Sequence, residues 1–167
     1  MTSPGDTGAF DLADFLPYRL SVVTNRVSQA FASRYQAAWG LTIPEWRVLA
    51  VVGSFAPLSA AAVCEKTAMD KVKVSRAVAR LVRRGLLTRH RDSQDQRVRL
   101  LGLGPQGRVV YEGIVPMARA IEGVLTGALS PGERSALLGT LDKLEACVAA
   151  LDGGDAGRTA GTGCAGT

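Results

Sequence analysis

The apolar residues of this 167-residue chain follow helical spacing nearly throughout and change to partial alternation once, in "LLTRHR" and "QRVRLLGL". A period of about 3.6 that drops to about 2 and then returns restricts the chain to helices built around a single hairpin. The two alternating runs flank Asp92-Ser93-Gln94-Asp95, a polar tip of the kind that turns a hairpin.

Helix boundaries follow from breakers and caps. Residues 1–10 read as a flexible leader. From Leu12 to about Trp39 the apolar spacing is helical, Pro17 lies near the start, and Gly40 ends it. Thr42 and Glu45 form a capping-box pattern with Pro44 in the first turn, and this helix is expected to stop near Val52, where Gly53 and Pro57 break it. Ser59 caps a short helix to about Lys66, and Asp70 opens another that ends before Gly85. After the hairpin, Gly104-Pro105 starts a long helix to about Ala128, bent at Pro116. Ser130-Pro131 starts the last helix, striped by Leu137, Leu141, Leu144, Val148 and Leu151. Residues 153–167 are Gly-rich, lack large apolar side chains and read as a disordered tail.

The order helix, helix, short helix, helix, hairpin, long helix, helix is mainly α. It predicts a winged helix-turn-helix with a two-stranded wing over residues 41–104, flanked by long N- and C-terminal dimerisation helices. Residues 11–40 with 105–152 are too long and too apolar for that module to cover, so they are expected to pair with each other and with a second chain, giving a homodimer.

Charge is concentrated. Residues 66–108 hold twelve Lys/Arg against three Asp, a local +9 in a chain whose total is +5, so the remainder is −4. A mildly acidic body with one basic segment predicts a polyanion partner for that segment. On a wheel of about 100° per residue, Val74, Ala77, Val78 and Leu81 cluster on one side of the fourth helix. Arg83, Arg76, Arg80, Lys73 and Arg84 occupy the other side. Solvated helix faces usually interleave acids at i, i+4, yet no Asp or Glu follows Lys71 before Arg91. Double-stranded DNA is therefore the expected partner, and a plain cationic surface is the alternative. Such a helix fits the major groove, with Lys71, Lys73, Ser75 and Arg76 toward base edges and Arg80, Arg83 and Arg84 toward phosphates. Arg89, Arg91, Arg97 and Arg99 make the hairpin a basic ribbon suited to the minor groove, and Asp95 is placed to pair with Arg97 and orient it. His90 reads as a solvated wing residue or phosphate contact.

Other classes are disfavoured. No run of about 18 apolar residues suggests a membrane span. No basic start followed by an apolar run marks a secretory signal. Three Cys at 64, 147 and 164, without C-x-x-C spacing, fit a reducing cytoplasm. No metal site or cofactor is expected, and no catalytic set or phosphate loop suggests an enzyme.

With "GLTIPEWRVLAVV", "MDKVKVSRAVARLVRRGLLTR", "DSQDQRVRLLGLGPQG" and "LSPGERSALLGTLDKLE", the chain resembles the multiple antibiotic resistance regulator (MarR) family over roughly Asp11 to Leu151. The resemblance implies a dimer of winged modules held by the first and last helices. It further implies a repressor of palindromic operators, often released by a small phenolic or anionic ligand. It marks Lys71 to Arg84 as the recognition helix and Asp95 and Arg97 as the wing-tip acid and Arg. Two positions depart: Gln96 stands where a further wing Arg is usual, and Leu103-Gly104 where Leu-Thr precedes Pro-x-Gly.

The family's ligand cleft would draw on Tyr18, Arg19, Arg26, Trp39, Trp46 and Arg47, aromatics and cations suited to an aromatic carboxylate. Each has a plainer role open to it: core filling for Trp39 and Trp46, solvation or phosphate contact for Arg47. Two alternatives stay open for the whole chain: a redox-responsive regulator using Cys64, and a winged module that binds an acidic protein. Cys64 otherwise reads as a small buried residue, Cys147 as packing, and Cys164 as part of the tail.

Overall fold

A computed structural model describes residues 10–92, 95 and 97–155. Residues 1–9 of the expected leader, Gln96, and the tail from 156 with Cys164 lie outside them. The chain divides into two compact units, one through Ala118 and one from Arg119.

In the first unit, α1 (Leu16–Trp39), α2 (Ile43–Phe55), β1 (Leu58–Ser59), α3 (Ala60–Thr67), α4 (Lys71–Arg83), β2 (Leu87–Arg91) and β3 (Arg99–Leu103) are followed by the start of α5 (Pro105–Gly127). The fold is mainly helical with a small antiparallel sheet ordered β1-β3-β2. The hairpin is the expected two-stranded wing, but β1 adds a third strand: Leu58 pairs with Leu101 and Ser59 with Leu100.

In this unit two helix boundaries differ from expectation. α1 begins at Leu16, not Leu12; Pro17 sits in its first turn, where a missing N–H costs nothing. α2 runs through Gly53 to Phe55. Gly53 is not a breaker: a Cβ there would lie 2.6 Å from the Tyr111 ring, so the position is kept bare for packing.

The core is shared by every element of this unit. Tyr35, Leu41, Leu49, Leu81, Leu87 and Ile114 are among its fully buried side chains. Trp46 sits within an aromatic group, 5.6 Å from Phe31, 5.8 Å from Tyr35 and stacked at 6.4 Å on Tyr111. Gly104 and Gly107 let α5 start directly on the α4–β2 turn: a Cβ at Gly104 would meet the Gly85 carbonyl, and one at Gly107 the Leu86 carbonyl. The departure at Gly104 from the usual Thr therefore has a steric use.

In the second unit, α6 (Pro131–Asp155) opens with a second capping box, in which Glu133 Oε2 accepts from the Ser130 N–H at 2.8 Å and its hydroxyl at 2.7 Å. The helix reaches Asp155, three residues into the stretch read as tail. Leu137, Leu138, Leu141, Val148 and Leu151 are exposed along it. On α1, Leu16, Leu20 and Val23 are likewise exposed. No helix among the described residues is long and apolar enough to cross a membrane.

Candidate nucleic-acid interface

Both ends of α4 are fixed by local chemistry. Asp70 caps its start, accepting the Lys73 N–H at 2.8 Å. That bond, reinforced by the Lys73 ammonium at 3.1 Å, holds the Asp70 carboxyl below the usual carboxylate range. At the far end the Leu86 N–H reaches the Leu81 carbonyl and the Gly85 N–H the Val82 carbonyl, with Gly85 left-handed at φ 68°. This is a Schellman motif, for which glycine is the natural residue. The turn between α3 and α4 is made by Ala68 at φ 50°.

The four residues α4 buries are Val74, Ala77, Val78 and Leu81, the side assigned from spacing. Lys71, Lys73, Ser75, Arg76, Arg80, Arg83 and Arg84 are all exposed. They differ in what holds them. Along the flank facing α1 and α2, Lys73 pairs with Asp70, Arg80 Nη1 lies 3.9 Å from the Glu45 carboxylate, and Arg84 donates to the carbonyls of Trp39 at 2.7 Å and Gly40 at 3.2 Å. Arg84 thus caps the C-terminus of α1, a role charge counting did not suggest. Arg76 and Arg83 project from the outer face, and among the described residues neither has an acidic group within 4.0 Å. Helix α4 therefore carries two tethered cations, Lys73 and Arg80, and leads into Arg84, which closes another helix; Lys71, Arg76 and Arg83 have no acidic group within 4.0 Å among the described residues.

The wing adds a second cationic strip. Register puts Arg91 directly opposite Arg99 and Arg89 opposite Leu101. Like charges facing across a ladder repel, so the Arg91–Arg99 end favours a bound anion. At the tip, Asp95 Oδ1 accepts the Arg97 backbone N–H at 2.9 Å. No ion pair between the two side chains is present among the described residues, which corrects the expected pairing: the carboxylate shapes the turn and leaves the exposed guanidinium free of it. On the other face of β2 from Arg89 and Arg91, His90 Nε2 lies 2.8 Å from the hydroxyl of Thr88, its neighbour on that face. Lys71, Ser75 and Arg89 come together around a hollow of about 270 Å3 between α3, α4 and β2, with Cys64 half-buried in its lining.

The residues named for a ligand cleft separate. Trp39 and Trp46 are packing residues: a Cβ at Gly113 would lie 2.7 Å from the Trp39 ring, and Trp46 stacks as described. Tyr18, Arg19 and Arg26 are exposed on α1. Arg47 is half-buried, donates to the Ser28 hydroxyl at 3.1 Å, and lines a groove of about 460 Å3 with Asn25, Asp70 and Lys73. Beside it, burial pushes the Tyr35 phenol up to about 12 against the opposing pull of the Arg47 charge. Two residues escaped sequence reasoning. Glu45 was read only as a cap, and Tyr111 not at all; its ring covers Gly53 and its hydroxyl lies 3.1 Å from that of Ser54.

These features have counterparts in known proteins. The MarR family model matches residues 39–98. The HTH-type transcriptional repressor NicR of Pseudomonas putida is 27% identical over 143 residues, which are 86% of this chain and 90% of NicR. A MarR family transcriptional regulator from Silicibacter pomeroyi DSS-3 superposes with a TM-score of 0.69 at 31% identity, over 81% of this chain and 99% of that one. Bordetella bronchiseptica BpsR, solved in a study of how 6-hydroxynicotinic acid regulates its DNA binding, gives a TM-score of 0.71 at 29% identity, over 83% and 98%. With an exposed cationic helix, a basic wing and near-complete coverage of a relative above 30% identity, this chain belongs to the MarR family of winged-helix, DNA-binding transcriptional regulators.

Proposed function

We propose that the chain is a repressor that binds a palindromic operator as a homodimer. Residues 41–104 form the DNA-binding domain, and 11–40 with 105–152 supply the dimer contacts. The observation that carries this is the outer face of α4, where Arg76 and Arg83 stand exposed without an acidic partner among the described residues. Lys71, Lys73, Ser75 and Arg76 face base edges in the major groove, while Arg80 and Arg83 hold the flanking phosphates. Arg89, Arg91, Arg97 and Arg99 follow the adjoining minor groove, with Asp95 setting the tip. Exposed leucines on α1 and α6 are the apolar surface a second copy would cover. Two recognition helices then meet half-sites about 34–36 Å apart.

A small aromatic acid releases the DNA in this reading. The regulation of BpsR by 6-hydroxynicotinic acid supports that class of ligand. Arg47 is the best placed of the cations to receive a carboxylate, because its groove also contains Lys73. Tyr18, Arg19 and Arg26 are the remaining candidates from α1, since Trp39 and Trp46 are spent on packing.

The test is operator binding by fluorescence anisotropy, using the DNA upstream of the protein's own gene against random competitor. Arg76→Ala should weaken operator binding by more than about 1 kcal/mol and reduce discrimination among sites. Wild-type affinity should fall steeply with salt as condensed counter-ions are released. Unchanged affinity in the variant, or a flat salt response, overturns the reading.

A further inference from the structure

Glu45 is the one charged residue in the core among the described residues, only 4% exposed. Its Oε2 accepts from both the Thr42 N–H and the Thr42 hydroxyl at 2.8 Å, which completes the cap of α2. That task needs neither burial nor the second oxygen. The chain contains its own comparison: Glu133 makes the same pair of bonds to Ser130 at the start of α6 while remaining exposed. What distinguishes Glu45 is its position beneath α4, where Oε1 lies 3.9 Å from Arg80 Nη1. The contact lies beyond hydrogen-bond distance, so what draws the guanidinium toward α2 is the attraction of charge for charge across a site largely removed from water.

We propose that Glu45 is a positioning residue for DNA recognition: its buried carboxylate holds the Arg80 guanidinium on the α2 flank of the recognition helix and so presets it for the operator. Arg80 remains 55% exposed in this arrangement, held at one end and open at the other. A free arginine side chain loses rotamer freedom when it docks, and one already held loses less. Arg76 and Arg83, which lack such a tether, make that adjustment on binding. The same carboxylate thus ties the cap of one helix to the aim of a side chain on another.

The inference rests on the reading that Arg80 touches DNA, and the experiment separates the two. Glu45→Gln keeps an oxygen for both Thr42 bonds but turns an amide NH2 toward Arg80, which removes the attraction with the cap intact. In the full-length protein, E45Q should weaken operator binding by about 3- to 10-fold. In an R80A background it should add no further loss. Equal affinity of folded E45Q and wild type, or losses that multiply in the double variant, overturns the positioning role. An R80A protein that binds as wild type overturns instead the contact on which the role depends. A measurement that needs no variant guards against misfolding of E45Q. In the free wild-type protein, 15Nε relaxation should find the Arg80 guanidinium more ordered than those of Arg76 and Arg83; equal disorder rejects the proposal.

Discussion

Arg84→Ala separates a structural cation from a DNA-binding one. The Arg84 fork spans the carbonyls of Trp39 and Gly40 at 2.7 and 3.2 Å, acceptors that a helix C-terminus leaves open. Bonds from a charged donor are worth about 1.5–3 kcal/mol each where water is excluded. Arg84 is exposed, water competes for both carbonyls, and ordering a long side chain costs about 1–2 kcal/mol. A cation at a helix C-terminus contributes about 0.3–1 kcal/mol more. The net loss in R84A should be about 1–1.5 kcal/mol, or about 2–6 °C in Tm for a chain of this size. Circular dichroism melts at one fixed protein concentration measure this, since self-association would make Tm depend on concentration. Arg84→Lys should recover part of the loss, because an ammonium on a flexible stem lacks the planar fork. In parallel, the salt dependence of operator binding should keep its slope, whereas loss of a phosphate contact lowers it by about one. An R84A protein with wild-type stability and a slope reduced by about one would refute the capping role and return Arg84 to the DNA.

Two further outcomes can be checked without DNA. Ala68→Gly should stabilise the fold by up to about 1 kcal/mol, because glycine relieves the left-handed strain at φ 50° by more than its added freedom in the unfolded chain costs; chemical denaturation would show an unchanged or lowered midpoint if it does not. Tyr35 has a raised folded-state value of about 12, so the stability tied to its neutral phenol is complete below pH 10 and lost as pH rises toward 12. Absorbance at 295 nm should show one phenol resisting ionisation until near that pH, and Tyr35→Phe should remove that phase; a full titration near pH 10 in the folded protein would refute it.

The parts legible in the sequence were those governed by neighbours along the chain. Val74, Ala77, Val78 and Leu81 share a face because of helical spacing alone, and Thr42, Ser59, Asp70 and Ser130 cap because each sits directly before its helix. What escaped depends on elements meeting in space. Leu58–Ser59 is too short to signal a strand and becomes one only beside Leu100 and Leu101. Gly53 looks like a breaker until the Tyr111 ring arrives over it. In the site, the positive charge of α4 was evident, but its division was not. Lys73, Arg80 and Arg84 owe their partners to Asp70, to Glu45 and to the end of α1, and two of those three lie on other helices.

The bare backbone contacts at Gly104 and Gly107 have a mechanical consequence. Where side chains separate two elements, one can rotate while the other stays, because the intervening atoms change rotamer and absorb the motion. At the mouth of α5 no such cushion exists: the peptide planes of Gly85 and Leu86 lie against the helix itself. The joint behaves as a bearing without play. A turn of the first residues of α5 must carry Leu86, and with it the root of β2.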